Sequence, residues 1–132
     1  MRRVADLRGK DDGMTKLAGR RILIVEDEAL VAMLVEDALL DAGAEVVGPV
    51  ATVAEAMALL DTASPDAAVL DLNLAGETST PVADVLAKRG VPFVVATGYG
   101  AEGLPPGHAS VPVLAKPYGP DELTGTLSRI CR

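Results

Sequence analysis

Short apolar runs rich in β-branched residues, each closing on a charged or hydroxyl-bearing side chain and followed by a helical pattern, limit this chain to very few folds. Ile22-Leu23-Ile24-Val25 is apolar throughout and closes on Glu26-Asp27-Glu28. A run with no polar face reads as a strand buried on both sides. Residues 28–42 carry apolar side chains at helical spacing and stop at Gly43, a residue type that readily ends a helix. Val46-Val47 opens a second strand, and Thr52 with Glu55 three positions on forms a capping-box start for a helix closing near Ser64-Pro65. A third run, Ala67-Ala68-Val69-Leu70, meets Asp71, and a helix from near Pro81 to Gly90 follows it. The fourth run, Val91 to Ala96, meets Thr97; the fifth, Val111 to Leu114, stands just before Lys116-Pro117. A last helix starts after Gly119-Pro120 and runs to the C-terminus. Such alternation requires right-handed crossovers and specifies an α/β fold with a doubly wound, five-stranded parallel sheet.

One stretch breaks the rhythm. Residues 98–110 occupy the place of a fourth helix but hold four glycines and two adjacent prolines. Each opposes a helix interior, so the fourth helix is expected to be poorly formed and the segment mobile.

At 132 residues the chain is long enough for one core, and with three aromatic residues that core must be built from Val, Leu, Ile and Ala. No apolar run approaches the ~20 residues of a membrane span. Cys131 is the single cysteine, which excludes an internal disulfide and a Cys-rich metal site and suits a cytoplasmic protein. Charge is unevenly spread: residues 1–21 carry a net +4 and residues 22–132 a net −11. Residues 1–19 therefore read as a disordered leader, with Met14 as an alternative start, and residues 20–132 as the domain. So acidic a domain is a poor electrostatic match for nucleic acid and a good one for cations.

In a parallel α/β sheet, ligands bind at the carboxyl ends of the strands. Here those ends bear Glu26-Asp27-Glu28, Asp71, Thr97 and Lys116. Packed carboxylates repel and call for a neutralising charge. Mg²⁺ (or Mn²⁺) fits: Asp27, Asp71 and a backbone carbonyl supply direct oxygens, and Glu26 acts through water. With Lys116 as a fixed positive charge and the Thr97 hydroxyl as a donor, the set suits transfer of a phosphoryl group onto a carboxylate, giving an acyl phosphate.

Ile22-Leu23-Ile24-Val25-Glu26-Asp27-Glu28, then Asp71, Thr97 and Lys116-Pro117, resemble the receiver domain of two-component response regulators over residues 20–132. The resemblance implies a flavodoxin-like sheet of strand order 2-1-3-4-5. It implies that Asp71 accepts a phosphoryl group from a histidine kinase or histidine phosphotransfer protein. Glu26, Asp27, Asp71 and the Asn73 carbonyl would form the metal pocket, Thr97 and Lys116 would sense the phosphoryl group, and Lys116-Pro117 would be cis. Asp71-Leu-Asn-Leu, Pro81-Val-Ala-Asp and Pro92-Phe-Val-Val-Ala-Thr-Gly-Tyr-Gly further resemble the FATGUY subgroup, commonly stand-alone regulators. Two positions depart from the pattern. Val95 replaces the motif's first Phe, with Tyr99 one residue early, and Val113 replaces the usual aromatic three residues before the lysine. An inward-turning aromatic at 113 is therefore not available as a switch.

No residues remain after the last helix for a DNA-binding module, so output is expected through protein contacts or as a phosphate sink, from a monomer or weak dimer. An alternative, a metal-dependent phosphatase with an Asp nucleophile, usually wants an acid or base two residues on, where Asn73 stands. A receiver-like module that binds partners without phosphorylation would not need the full acid, Asp, Thr and Lys set. On the first helix, Leu30, Val31, Leu34, Val35, Ala38, Leu39 and Ala42 form one broad face expected to pack on the sheet. Met33 and Leu40 align nearly opposite and mark a docking patch for the phosphodonor. His108 and Cys131 are read as bystanders.

Overall fold

The computed structural model describes residues 17–98, 107, 108 and 110–131. The elements in chain order are β1 (Arg21–Val25), α1 (Ala29–Asp41), β2 (Glu45–Val50), α2 (Val53–Leu60), β3 (Ala67–Asp71), β4 (Asn73–Leu74), β5 (Glu77–Thr78), α3 (Thr80–Lys88), β6 (Phe93–Thr97), β7 (Val113–Ala115) and α4 (Pro120–Ile130). Five strands form one sheet in the order β2-β1-β3-β6-β7, all pairs parallel. The sheet is the parallel, doubly wound one expected from the alternation, and its order is the 2-1-3-4-5 that the resemblance implies.

Side chains along each strand alternate between two apolar cores. Ile22, Ile24, Val69 and Val94 join Val35 and Leu39 of α1 and Leu123 and Leu127 of α4 on one face. Leu23, Val25, Leu70 and Val95 join Ala56 and Leu60 of α2 and Val82 and Leu86 of α3 on the other. Every residue of β3 and β6 is buried, which is why these runs carry no polar position before their last residue. Leu17, three residues ahead of the boundary read at residue 20, is fully buried in the first core. Residues 1–16 and most of 98–110, including the place of the fourth helix, lie outside the described residues. None of the described helices is long and apolar enough to cross a membrane.

Local chemistry sets the boundaries. The Thr52 hydroxyl accepts from Glu55 N at 3.0 Å and Glu55 Oε1 accepts from Ala51 N at 2.9 Å, so both halves of a cap start α2. Strand β6 starts at Phe93, not Val91, because the Val91 N–H closes α3 onto the Leu86 carbonyl (2.9 Å) and Pro92 has no N–H. Likewise β7 starts at Val113, since Val111 N donates to His108 O (3.2 Å) and Pro112 cannot donate. Lys116-Pro117 is cis as expected, and Gly48-Pro49 is a second cis bond that the sequence did not announce.

The face assigned to α1 needs correction. Its buried residues are Ala32, Val35, Ala38 and Leu39, whereas Leu30 and Leu34 are 65% and 60% exposed. A helix lying on a sheet buries an arc on the order of 100° wide, narrower than the half-turn that the apolar residues fill. Small Ala32 and Ala38 flank Val35 and let the helix seat closely, which turns Leu30 and Leu34 out of that arc. Met33 and Leu40 are exposed, 51% and 53%.

Candidate functional site

Each chemistry-bearing residue follows from a strand end. Asp71 is the last residue of β3, the central strand, and is 5% exposed. Glu26 and Asp27 follow β1 next door; Glu26 is also 5% exposed and Asp27 is half-buried. Thr97 ends β6 on the other side, 2% exposed, and its carbonyl accepts from Lys116 N at 3.0 Å, which fixes where β7 delivers the lysine. Lys116 Nζ then lies 3.2 Å from Asp71 Oδ2, 3.2 Å from Glu26 Oε1 and 3.3 Å from Glu28 Oε1. All the acids, the threonine and the lysine selected from the sequence thus meet at one sheet edge. A cleft of about 580 Å³ opens onto them, lined by Asp27, Glu28, Asp71, Thr97 and Lys116 among others.

Further contacts shape the carboxylates. Glu26 Oε2 accepts from Glu28 N at 3.0 Å, and Asp27 Oδ2 accepts from Ala75 N at 2.9 Å. Ala75 belongs to a feature the sequence did not reveal. Strands β4 and β5 pair antiparallel as a two-residue-turn hairpin, whose Asn73 and Ala75 help line the cleft. Both turn residues adopt positive φ, Ala75 at 54° and Gly76 at 92°, as a type I′ turn requires. The Gly76 N–H also donates to Asn73 Oδ1 at 2.9 Å, so the Asn73 side chain is committed to the turn. Fully buried Ser79 was also missed: its N–H and hydroxyl both donate to the Leu72 carbonyl, at 2.9 and 3.1 Å, tying down the residue after Asp71. A serine two residues before a helix-starting proline was its only sequence signal.

Burial pushes the Glu26 carboxyl up to about 7; neighbouring Asp71 adds to the rise, while the Glu28 N–H and Lys116 oppose it. Burial raises Asp71 too, against the pull of Glu26 and Lys116. The two carboxyls act as a unit that holds a proton beyond the ordinary carboxylate range. For Lys116, burial disfavours the charge, yet Asp71 and Glu26 outweigh it and keep the ammonium above its ordinary range. One oxygen from each of Glu26, Asp27 and Asp71 lies within 4.8 Å of the others. Such spacing is compatible with Asp27 and Asp71 sharing one Mg²⁺, whose ligand oxygens stand about 3 Å (cis) or 4.2 Å (trans) apart, and with Glu26 reaching it through a bound water.

Residues 22–128 match the family model of the response regulator receiver domain. The chain belongs to that family. The solution structure of SdrG from Sphingomonas melonis Fr1 is similar at 45% identity and a TM-score of 0.75, covering 87% of this chain and 97% of that one. The response regulator PhyR from Brucella abortus is 30% identical with a TM-score of 0.77, covering 90% of this chain and 50% of that one. The transcriptional regulatory protein PdtaR of Mycobacterium tuberculosis is 35% identical over 81 residues, which span 61% of this chain and 40% of that protein. This receiver therefore spans well under half the length of the curated relative it matches.

Two residues outside the acid cluster have their own settings in this receiver. His108 lies edge-on to Phe93, with ring centroids 5.7 Å apart, and its Nε2 stands 2.8 Å from Asp84 Oδ1 on α3. Cys131 is buried in the α1/α4 core.

Proposed function

We propose that this receiver accepts a phosphoryl group on Asp71 from a histidine kinase or histidine phosphotransfer protein, in a Mg²⁺-dependent reaction in the cytoplasm. The observation that carries the reading is Lys116 Nζ at 3.2 Å from Asp71 Oδ2, beside the three-carboxylate cluster at the strand ends. An Asp71 oxygen forms a bond to phosphorus as the donor's P–N bond breaks. The electron pair leaves with the imidazole nitrogen, which takes a proton from solvent. Lys116 offsets the charge of the phosphoryl oxygens, and the Thr97 hydroxyl hydrogen-bonds one of them. Asp27, Asp71 and the Asn73 carbonyl would hold Mg²⁺ directly, with Glu26 acting through water. A bound ion would supply further positive charge opposite the transferring group.

Output then runs through protein contacts or as a phosphate sink. Met33 and Leu40 support docking of the phosphodonor on α1, and exposed Leu30 and Leu34 extend the apolar surface toward the cleft. The test is intact-mass measurement after incubation with acetyl phosphate and Mg²⁺. The parent should gain one phosphoryl mass and Asp71→Asn should gain none; equal modification of both would refute the assignment.

A further inference from the structure

Among the described residues, the Tyr118 hydroxyl is the one buried side-chain polar atom without a hydrogen-bond partner. Its ring packs against the α1/α4 core, where a phenyl group would sit as well. The hydroxyl adds an unpaired donor inside the protein, an arrangement that needs a physical reason. Burial, helped by Glu26 and Asp71 and opposed by Lys116, pushes the phenol up to about 12, and all three charged groups belong to the acid site. The ring also lines an apolar groove of about 460 Å³ between α1 and α4, with Leu34, Val35, Pro117 and Leu123. Glu28 and Lys116 line both this groove and the acid cleft, so Tyr118 stands where the two meet.

Donor supply at Glu26 shows what the hydroxyl is for. Glu26 is 5% exposed and has two accepting oxygens; Glu28 N serves Oε2, and Lys116 Nζ serves Oε1 at 3.2 Å. Lys116 is spread over three carboxylates at nearly equal distances. A phosphoryl group on Asp71 concentrates negative charge on one side of that triangle and draws the ammonium there. Glu26 Oε1 then loses the ammonium while still buried and can take a second donor beside a metal-bound water. The Tyr118 phenol, itself without a partner, packs on the sheet face of Ile22 and Ile24, the face to which strand alternation also turns Glu26. We propose that the Tyr118 hydroxyl is a positioning group for Glu26, idle in the metal-free protein and engaged when Lys116 moves onto a phosphoryl group at Asp71. The inference rests on the reading of Asp71 above. Because the ring is a wall of the α1/α4 groove, its engagement reshapes a surface that a partner can touch.

The test uses the full chain with Mg²⁺ and trifluoroberyllate as the acyl-phosphate mimic. The chain has two tyrosines and no tryptophan, so a Tyr99→Phe background isolates Tyr118. Its Fermi doublet in the ultraviolet resonance Raman spectrum should read as a non-donor without ligand and as a hydrogen-bond donor at saturation. In calorimetric titration Tyr118→Phe should weaken trifluoroberyllate binding about tenfold, the worth of a hydrogen bond to a charged group. The same substitution should raise the melting temperature of the metal-free protein. A merely structural tyrosine would shift both states the same way. An unchanged doublet at saturation, or unchanged affinity in Tyr118→Phe, overturns the inference. Acetyl phosphate separates the two readings: a parent that takes up no phosphoryl group fails at Asp71, whereas a parent that does, with Tyr118→Phe binding as tightly, fails only at Tyr118.

Discussion

Without metal, this receiver should lose stability as pH rises through the range where most carboxylates have already ionised. Glu26 carries the effect. Its carboxyl titrates near 4.5 in an unfolded chain and at about 7 in the folded protein, because it is buried beside Asp71. Between those values the folded state keeps a proton that the unfolded state has released. The folded state then binds more protons, so stability falls with rising pH. At 1.36 kcal/mol per pKa unit the gap amounts to about 3 kcal/mol, absent below about pH 4.5 and fully developed above about pH 7. Asp71 is raised in the same direction and works with the same sign. For a domain of this size the melting temperature should drop on the order of 10 °C across that window. Urea titrations in chelator from about pH 5 to pH 8 measure it directly. Glu26→Gln should remove most of the slope, since the amide has no proton to release, and saturating Mg²⁺ should flatten it in the parent by replacing the proton with the ion. Metal-free stability that stays level or rises over this window, or a slope undiminished in Glu26→Gln, would refute the reasoning.

Three further outcomes are expected. Asp27→Ala should weaken Mg²⁺ binding by at least about tenfold in calorimetric titration, since loss of a direct oxygen should cost no less than loss of an outer-shell partner. Met33→Glu and Leu40→Glu should slow phosphoryl transfer from the cognate donor while leaving acetyl phosphate labelling unchanged, and their urea midpoints should imply shifts within about 0.5 kcal/mol. Ala75→Gly should gain roughly 1 kcal/mol in urea unfolding, because it relieves a side chain held at φ 54° while retaining the N–H bonded to Asp27.

The residues most legible in the sequence were those whose environment leaves one option. β3 and β6 are buried at every position, so their apolar runs could only be central strands, and the polar residue ending each run had to emerge at the sheet edge. That alone places Asp71 and Thr97 at the sheet edge. The β4–β5 hairpin escaped because two-residue strands are too short to show alternation, and its turn is Ala-Gly instead of the usual Asn-Gly. The α1 face was misjudged because composition along a helix does not say which part of an apolar half-turn meets the sheet; Ala32 won over Leu30 and Leu34 through close approach, not hydrophobicity. Tyr118 was invisible for another reason: whether a phenol finds a partner depends on side chains from β1 and β3, far away in sequence.

The exposed quartet on α1 has an evolutionary consequence. Leu30, Met33, Leu34 and Leu40 are each at least half exposed. Substituting them leaves no cavity behind, and each sits on a helix whose other side does the anchoring. Asp71 and Glu26 have no such latitude, being sealed between core strands and charged neighbours. With the phosphodonor docking on α1 as proposed, partner choice would rest on side chains that the reaction centre does not use. Duplicated copies of such a gene could drift at these four positions, acquire different donors and avoid crosstalk while the reaction centre stayed unaltered. On that reading α1 is the place to rewire this receiver by design.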